Sequence, residues 1–245
     1  MTRRSRWPPL LVALALGVAA NAARSEDLRT DANIVTALDI SDSVDGRSAE
    51  IEIEGMARAI LAPEILQALR AGRHGRIGFA IFAWHEGAYP ELVSWTVIGG
   101  GEDARQVSAR LRDGLPPQLE AATADKATEP RMTDLSGAID HAAVLLLTAP
   151  FATDRMVLNV IGNGWDNVGE GPQHARDRLV GEGGIINGVI VGEDPVLADY
   201  FRQNVIGGRG AFLFTARDKA AIIDVLARKF LRDVAMAIPA SLSAR

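Results

Sequence analysis

The sequence contains no cysteine, which excludes disulfide bonds, thiolate metal sites, cysteine nucleophiles and a lipid-modified N-terminal cysteine. Histidine is scarce as well. The four histidines, His74, His85, His141 and His174, lack the four-residue spacing that a zinc pair on a helix requires. We therefore expect each histidine to be a surface or loop residue and not a metal ligand.

No run rich in lysine or arginine is present, and 31 acidic residues outnumber 26 basic ones, which gives a formal charge of −5. Such a chain lacks the basic surface that tracks a phosphate backbone, so nucleic acid is not an expected partner. The Gly-x-Ser-x-Gly elbow of serine hydrolases is also missing. We do not expect an enzyme, and a metal-dependent hydrolase is the enzymatic alternative that remains.

The first 22 residues are typical of a secretory signal peptide. Arg3, Arg4 and Arg6 precede an apolar run at residues 10–20, and small residues follow it up to Ala22. The apolar run is about a dozen residues long, short of the roughly 20 that span a bilayer. We expect cleavage after Ala22 and export to the periplasm or beyond, and the paired arginines leave open whether export uses the general secretory or the twin-arginine route.

The full sequence has the composition of a globular protein, with 48% hydrophobic and 23% charged residues, and residues 23–245 are expected to hold the folded domain. Buried strands alternate with amphipathic helices, which predicts a single domain with its core at about residues 31–236. The expected fold is a doubly wound α/β fold whose six-stranded sheet is mostly parallel, with one antiparallel edge strand and helices on both faces. The predicted strands are residues 33–38, 76–84, 92–98, 156–161, 185–191 and 211–215. The predicted helices are residues 48–61, 63–72, 102–112, 135–150 with Thr133 as N-cap, 172–182, 195–204 and 218–234, and residues 114–131 are expected to form an exposed loop.

Three hard oxygen donors follow the first predicted strand. Asp39, Ser41 and Ser43 alternate, so their side chains can converge on one point if the chain stays extended. Oxygen donors of this kind suit Mg²⁺, and Mn²⁺ or Ca²⁺ as alternatives. Asp and Ser also fill ordinary turns, and this alternative stays open. Thr133, at the head of a later predicted helix, supplies a further hydroxyl.

With Thr133 included, the sequence resembles the von Willebrand factor A domain, whose metal-ion-dependent adhesion site combines Asp-x-Ser-x-Ser with a distant Thr and a later Asp. The resemblance implies that Asp39, Ser41, Ser43 and Thr133 hold a divalent cation, and that a protein partner completes the coordination with an acidic side chain. A closer resemblance, over about residues 31–234, is to the uncharacterised bacterial family catalogued as domain of unknown function 1194. The matching segments are GRHGRI at 72–77, the strand end at Trp84, WT at 95–96, NG at 187–188 and NVIGGRGAF at 204–212.

One position departs from the adhesion-site pattern. Asn163 stands after the fourth predicted strand, where the resemblance implies an Asp. An amide oxygen can still accept a hydrogen bond from a metal-bound water, so we expect Asn163 in the outer shell and a weakened cation site. Asp166 or Asp42 could compensate if its loop bends inward. The alternative is a scaffold that binds its partner without metal, through loops such as residues 114–131.

A second set of residues is expected beside the metal. Trp84, His85, Trp165 and Asp166 follow the second and fourth predicted strands and could form a recognition rim for the partner. The alternative for the two tryptophans is ordinary packing, with His85 solvated.

Overall fold

The computed structural model describes residues 28–41, 44, 46–124, 131–218 and 220–237, without the side chains of residues 46 and 114–124. The predicted signal peptide lies outside the described residues. So do the predicted ligand Ser43 and its neighbour Asp42, together with the last part of the predicted loop, residues 125–130.

Strands of four to eight residues form one sheet at the centre of the molecule. They are β1 Asn33–Asp39, β2 Ile77–Trp84, β3 Glu91–Ile98, β4 Met156–Gly162, β5 Ile185–Val191 and β6 Leu213–Ala216. Their order is β3-β2-β1-β4-β5-β6, and each neighbouring pair is parallel except the antiparallel pair β2 and β3. This is the predicted doubly wound α/β sheet with an antiparallel edge strand.

Helices cover both faces of this sheet. They are α1 Gly46–Leu61, α2 Pro63–Ala71, α3 Gly101–Ala124, α4 Leu135–Leu147, α5 Gln173–Gly181, α6 Pro195–Tyr200 and α7 Ile222–Ala235, and a π-helical turn, Phe201–Val205, continues α6. Among the described residues, no helix is both long and apolar enough to cross a membrane.

Burial on both faces explains the sequence of β1, in which all seven residues are buried. Ile34 and Leu38 pack into the core layer under α1, α2, α3 and α7. Val35 and Ala37 point the opposite way, into the layer under α4, α5 and α6. Because strand residues alternate, Asp39 continues the second series and emerges on the α4 side of the sheet.

Two predicted boundaries are wrong. Residues 114–124 were expected in a loop, but α3 continues to Ala124 through both prolines. The strong helix formers of the segment QLEAATA, residues 118–124, favour this continuation, and proline's fixed φ is itself close to the helical value. The predicted helix 195–204 is divided into α6 and the π-helical turn.

A buried polar network joins α7 to the sheet on the face opposite α4. Lys229 and Asp233, each 0% exposed, form an ion pair of 2.7 Å between Nζ and Oδ2. Asn159 of β4 and Asn187 of β5 each donate a side-chain N–H to Asp233, at 2.9 Å. Burial lowers the pKa of Lys229, and the nearby Asp233 carboxylate opposes that change. Asp233 therefore stabilises one buried cation and satisfies two buried amides.

We predict that Asp233→Ala lowers the free energy of unfolding by about 3–5 kcal/mol, because it leaves Lys229 buried and uncompensated and removes the acceptor of two amides. Urea unfolding measures the change. Asp224→Ala, at an exposed position in the first turn of the same helix, is the control and should change stability by less than about 0.5 kcal/mol. Equal losses in both variants would contradict a special role for the buried pair.

Candidate functional site

The candidate cation site lies where the strand order reverses. Strands β1 and β4 are parallel neighbours, and the chain continues from them to opposite sides of the sheet. Asp39 ends β1 and Gly162 ends β4, so both lie at the carboxyl edge. Open α/β sheets bind ligands in the crevice at such a point.

Asp39 has one satisfied and one unsatisfied carboxylate oxygen. Its side chain is buried, at 1% exposure, and Oδ1 accepts a hydrogen bond of 2.8 Å from the backbone N–H of Ser41. This local turn is the structural alternative left open by the sequence, and it uses only Oδ1. Oδ2 is buried and has no hydrogen-bond partner among the described residues.

Gly162 lets β4 approach this free oxygen closely. A Cβ atom at position 162 would stand 3.2 Å from Asp39 Oδ2 and 3.5 Å from Asp39 Cβ. The glycine therefore leaves the space around Oδ2 that a larger residue would restrict.

Burial raises the pKa of Asp39 from 3.8 to about 6. Hydrogen bonding by Ser41, the backbone N–H of Asn163 and the charge of Arg131 each oppose the rise. Arg131 is itself only 6% exposed, so a buried cation acts on the Asp39 carboxylate. The net effect of burial is that the ionised carboxylate is poorly stabilised by its surroundings.

Ser41 and Thr133 are brought together from positions 92 residues apart. Thr133 Oγ1 donates a hydrogen bond of 3.1 Å to Ser41 Oγ, and both residues are buried. Asp39, Ser41 and Thr133 are therefore connected by successive contacts, and they combine one carboxylate with two hydroxyls.

The loop after β4 positions Thr133. Asn167 Oδ1 accepts a hydrogen bond of 2.8 Å from the Thr133 backbone N–H, and the Asn167 backbone N–H donates to the Thr133 carbonyl at 3.0 Å. Asp166 Oδ1 accepts from the Leu135 N–H at 2.6 Å. Asp166 therefore binds the start of α4, and burial is the main reason that its pKa is raised. Sequence reasoning missed Asn167, whose contact with Thr133 joins distant segments.

The N-cap of α4 is Asp134, so the prediction that Thr133 caps this helix is wrong. Asp134 Oδ1 accepts a hydrogen bond of 2.7 Å from the Gly137 N–H, and Tyr89 Oη donates to Asp134 Oδ2 at 3.3 Å. Asp and Thr are both good N-caps, and the carboxylate one position later takes the role here. As a result, the Thr133 hydroxyl is used in the contact with Ser41.

The predicted recognition rim is only partly at the surface. Trp84 is 0% exposed and packs in the core layer under α4, so the prediction that it contributes to a surface rim is wrong. The reason is that β2 is an interior strand, paired with β1 up to Trp84 and with β3 up to Phe82. Trp165 is 42% exposed, with its ring 4.8 Å from that of Tyr200. His85 is half-buried in the turn after β2, where its backbone bonds to Ala88.

His141 was expected at the surface, but it is half-buried on α4. Its ring stacks on Tyr89 at 4.6 Å and meets the edge of Phe82 at 4.7 Å. Burial lowers its pKa, while the charge of Glu91 opposes that change. The residue is therefore a packing element between α4 and the strand β2.

The donor set fits a hard divalent cation. Asp39 Oδ2 is buried without a hydrogen-bond partner in the described part of the chain. Ser41, whose N–H bonds to the other oxygen of Asp39, also bonds through its hydroxyl to the Thr133 hydroxyl. Oxygen donors of this kind are those that Mg²⁺, Mn²⁺ and Ca²⁺ prefer. Within the described residues, no group of three or more His, Asp or Glu side chains forms an alternative metal cluster.

The family model described as "Protein of unknown function (DUF1194)" matches residues 29–238 of the chain. The chain belongs to this family. A search of curated protein sequences found no match.

Solved structures with the same fold confirm its von Willebrand factor A-like architecture. Proximal thread matrix protein 1 from the mussel byssus superposes with a TM-score of 0.59 at 15% identity, covering 86% of this chain and 49% of that one. The chain thus spans about half the length of that protein. One structure of the mussel protein is described as having a zinc-occupied MIDAS motif, the metal-ion-dependent adhesion site. The vWF domain of the pilus tip protein Mfa5 from Porphyromonas gingivalis has a TM-score of 0.60 at 10% identity, covering 86% of this chain and 97% of that one.

The raised pKa of Asp39 gives a prediction for the metal-free protein. The folded state keeps a proton on this carboxyl up to about pH 6, whereas the unfolded state releases it near 3.8, so folding stability falls as the pH rises between these values. Asp39→Asn removes this pH-dependent loss of stability, because an amide does not release a proton in this range. In buffer that contains a metal chelator, we expect the free energy of unfolding of the variant, relative to that of the wild type, to rise by up to about 3 kcal/mol between pH 4 and pH 7.

Urea unfolding at both pH values measures this difference. Asp140→Asn, at a solvent-accessible position on α4, is the matched control and should follow the wild type at each pH. A difference between Asp39→Asn and the wild type that does not change with pH would show that Asp39 is not a poorly stabilised carboxylate.

Proposed function

We propose that the chain is an exported binding module that holds a divalent cation at Asp39, Ser41 and Thr133 and binds a protein partner through it. The observation that carries this proposal is Asp39 Oδ2, which is buried and has no hydrogen-bond partner among the residues that the structure describes, beside the hydrogen-bonded Ser41 and Thr133 hydroxyls. A cation supplies the positive charge that the buried carboxylate needs. Ser43, which follows in the same motif, is proposed as a further hydroxyl ligand.

Each residue has a distinct proposed role. Asp39 is the anionic ligand or holds a metal-bound water, Ser41 and Ser43 contribute hydroxyl oxygens, and Thr133 coordinates the cation or orders a water. Asn163, whose backbone N–H acts on Asp39, takes the outer shell. We expect Mg²⁺ as the ion, with Mn²⁺ and Ca²⁺ as alternatives, because the donors are hard oxygens.

The partner is proposed to supply an acidic side chain to the open coordination position of the cation. A bound cation attracts a carboxylate strongly, and a shallow site gains specificity from this single directed contact. Trp165, exposed beside the site on the loop that holds Thr133, offers an apolar surface next to it. The adhesion-type structures with the same fold, a pilus tip domain and a mussel byssus protein, support a binding role.

Binding without metal is the second candidate function. Two observations favour it: Asn163 occupies the position of the expected carboxylate, and the buried Arg131 already acts as a positive charge on Asp39. In this case chelation leaves partner binding unchanged. A metal-dependent hydrolase is a further alternative, and it predicts turnover that a chelator abolishes.

Isothermal titration with Mg²⁺, Mn²⁺ and Ca²⁺ tests the proposed site. We expect saturable binding to the mature chain, residues 23–245, and its loss in Asp39→Ala. Asp140→Ala is the control, because it removes a carboxylate from α4 that is paired with Arg178 instead of the site. The absence of binding to the wild type, or equal binding by Asp39→Ala, would reject the metal site and favour the metal-independent scaffold.

Restoring the missing carboxylate gives a second test. We predict that Asn163→Asp tightens Mg²⁺ binding by about tenfold or more, because a charge about 4 Å from a cation contributes up to roughly 4 kcal/mol per unit charge at an effective dielectric of 20. The same titration measures the change, and peptide mapping checks that Asn163, which precedes Gly164 and is prone to deamidation, is intact in the wild type. Unchanged affinity would place position 163 outside the influence of the cation.

A further inference from the structure

The amino edge of the sheet, opposite the candidate cation site, carries two neighbouring cavities. The first has a volume of about 270 Å³ and lies beside Thr30, Asp31 and His74. The second has a volume of about 340 Å³ and lies beside the start of β5, at Ile185. Asp154 and Arg155, which directly precede β4, line both cavities.

Positive charge is concentrated around these cavities. Arg73 lines the first cavity, Arg209 lines the second, and Arg155 lines both. Asp154 is already paired with a further arginine, Arg29, at 3.1 Å. The second carboxylate, Asp31, accepts backbone N–H groups from residues 74 and 76 at 2.9 and 3.2 Å. Around the two cavities together, three arginines outnumber two carboxylates by one charge, and both carboxylates already have hydrogen-bond or ion-pair partners.

The backbone of Arg155 is held in place, and its side chain forms no ion pair with the described residues. Its backbone is fixed at both polar groups, since its N–H donates to Thr153 Oγ1 at 3.2 Å and its carbonyl accepts from the Asn33 N–H at 2.9 Å. Its side-chain atoms Nε and Nη2 are buried and have no hydrogen-bond partner in the part of the chain that the structure describes. Arg155 as a whole is half-buried, but burying two N–H donors without acceptors is costly, and an anion in a cavity that Arg155 lines favours its positive charge.

The buried carboxylate whose charge acts on Arg155 already has other partners. Asp233 acts on Arg155 through its charge, but its oxygens are bonded to Lys229, Asn159 and Asn187. Asp233 therefore serves one buried cation and two buried amides in addition to acting on Arg155.

We propose that these cavities form a binding site for a small oxyanion, a carboxylate or a phosphate group, with Arg155 as its central cation and Arg73 or Arg209 as the second contact. Guanidinium groups bind both kinds of oxyanion through paired hydrogen bonds. The first cavity is large enough for a small organic acid or a phosphate ester. The site is separate from Asp39, because it lies at the opposite ends of the parallel strands.

Titration calorimetry and thermal unfolding with inorganic phosphate and with succinate, against sodium chloride at equal ionic strength, test the site. We expect saturable binding of at least one anion, a higher Tm in its presence, and binding about tenfold weaker in Arg155→Gln, equivalent to about 1.4 kcal/mol. A preference for phosphate or for succinate shows whether the site takes a phosphate group or a carboxylate. Arg178→Gln, which removes an exposed arginine from α5, is the matched control and should bind as the wild type.

Arg155→Gln could fail to fold, so two exposed arginines provide independent variants. Arg73→Gln affects only the first cavity and Arg209→Gln only the second, and the variant that loses binding identifies the cavity that is used. Mg²⁺ titration of the same variants should match the wild type. The proposal is overturned if neither anion binds saturably to the wild type, or if Arg73→Gln and Arg209→Gln both bind as the wild type does.

Discussion

The buried carboxylate of Asp39 is the group around which the residues at the carboxyl edge of the sheet are arranged. Strand β1 has parallel partners on both sides and helices on both faces, so the end of this strand is shielded from water. A charged group there needs partners, and the surrounding segments supply only some of them: the Ser41 N–H reaches Oδ1, while Gly162 leaves room beside Oδ2. The ionised form of this buried carboxylate is therefore costly, and the proposed cation would lower that cost.

The part of the fold that could be predicted from sequence is the part determined by local pattern. The apolar run of β1 indicated a fully buried parallel strand, and the oxygen donors after it indicated a site at the carboxyl edge. The direction of Asp39 follows from the alternation of Val35 and Ala37 on the same face. Thr133 Oγ1 bonds to Ser41 Oγ, so two of the hydroxyls singled out in the sequence lie together, and their coordination of a cation stays a prediction.

The features that escaped prediction depend on contacts between distant segments. Trp84 was placed at the surface because it ends its strand, whereas neighbours on both sides and the packing of α4 bury it. Either Thr133 or Asp134 can cap the helix. In the structure Asp134 is the N-cap, while the Thr133 side chain bonds to Ser41. Asn167 carried no local signal, since its partner is 34 residues earlier in the chain.

The reciprocal hydrogen bonds between Asn167 and Thr133 have a mechanical consequence. The side chain and the backbone of Asn167 bond to the N–H and the carbonyl of Thr133, so that residues 133 and 167 are joined by two hydrogen bonds. Trp165 projects from the same loop, two residues away, with 42% of its surface exposed. An exposed aromatic ring is therefore joined to the buried hydroxyls of Thr133 and Ser41 through two residues of backbone and three hydrogen bonds.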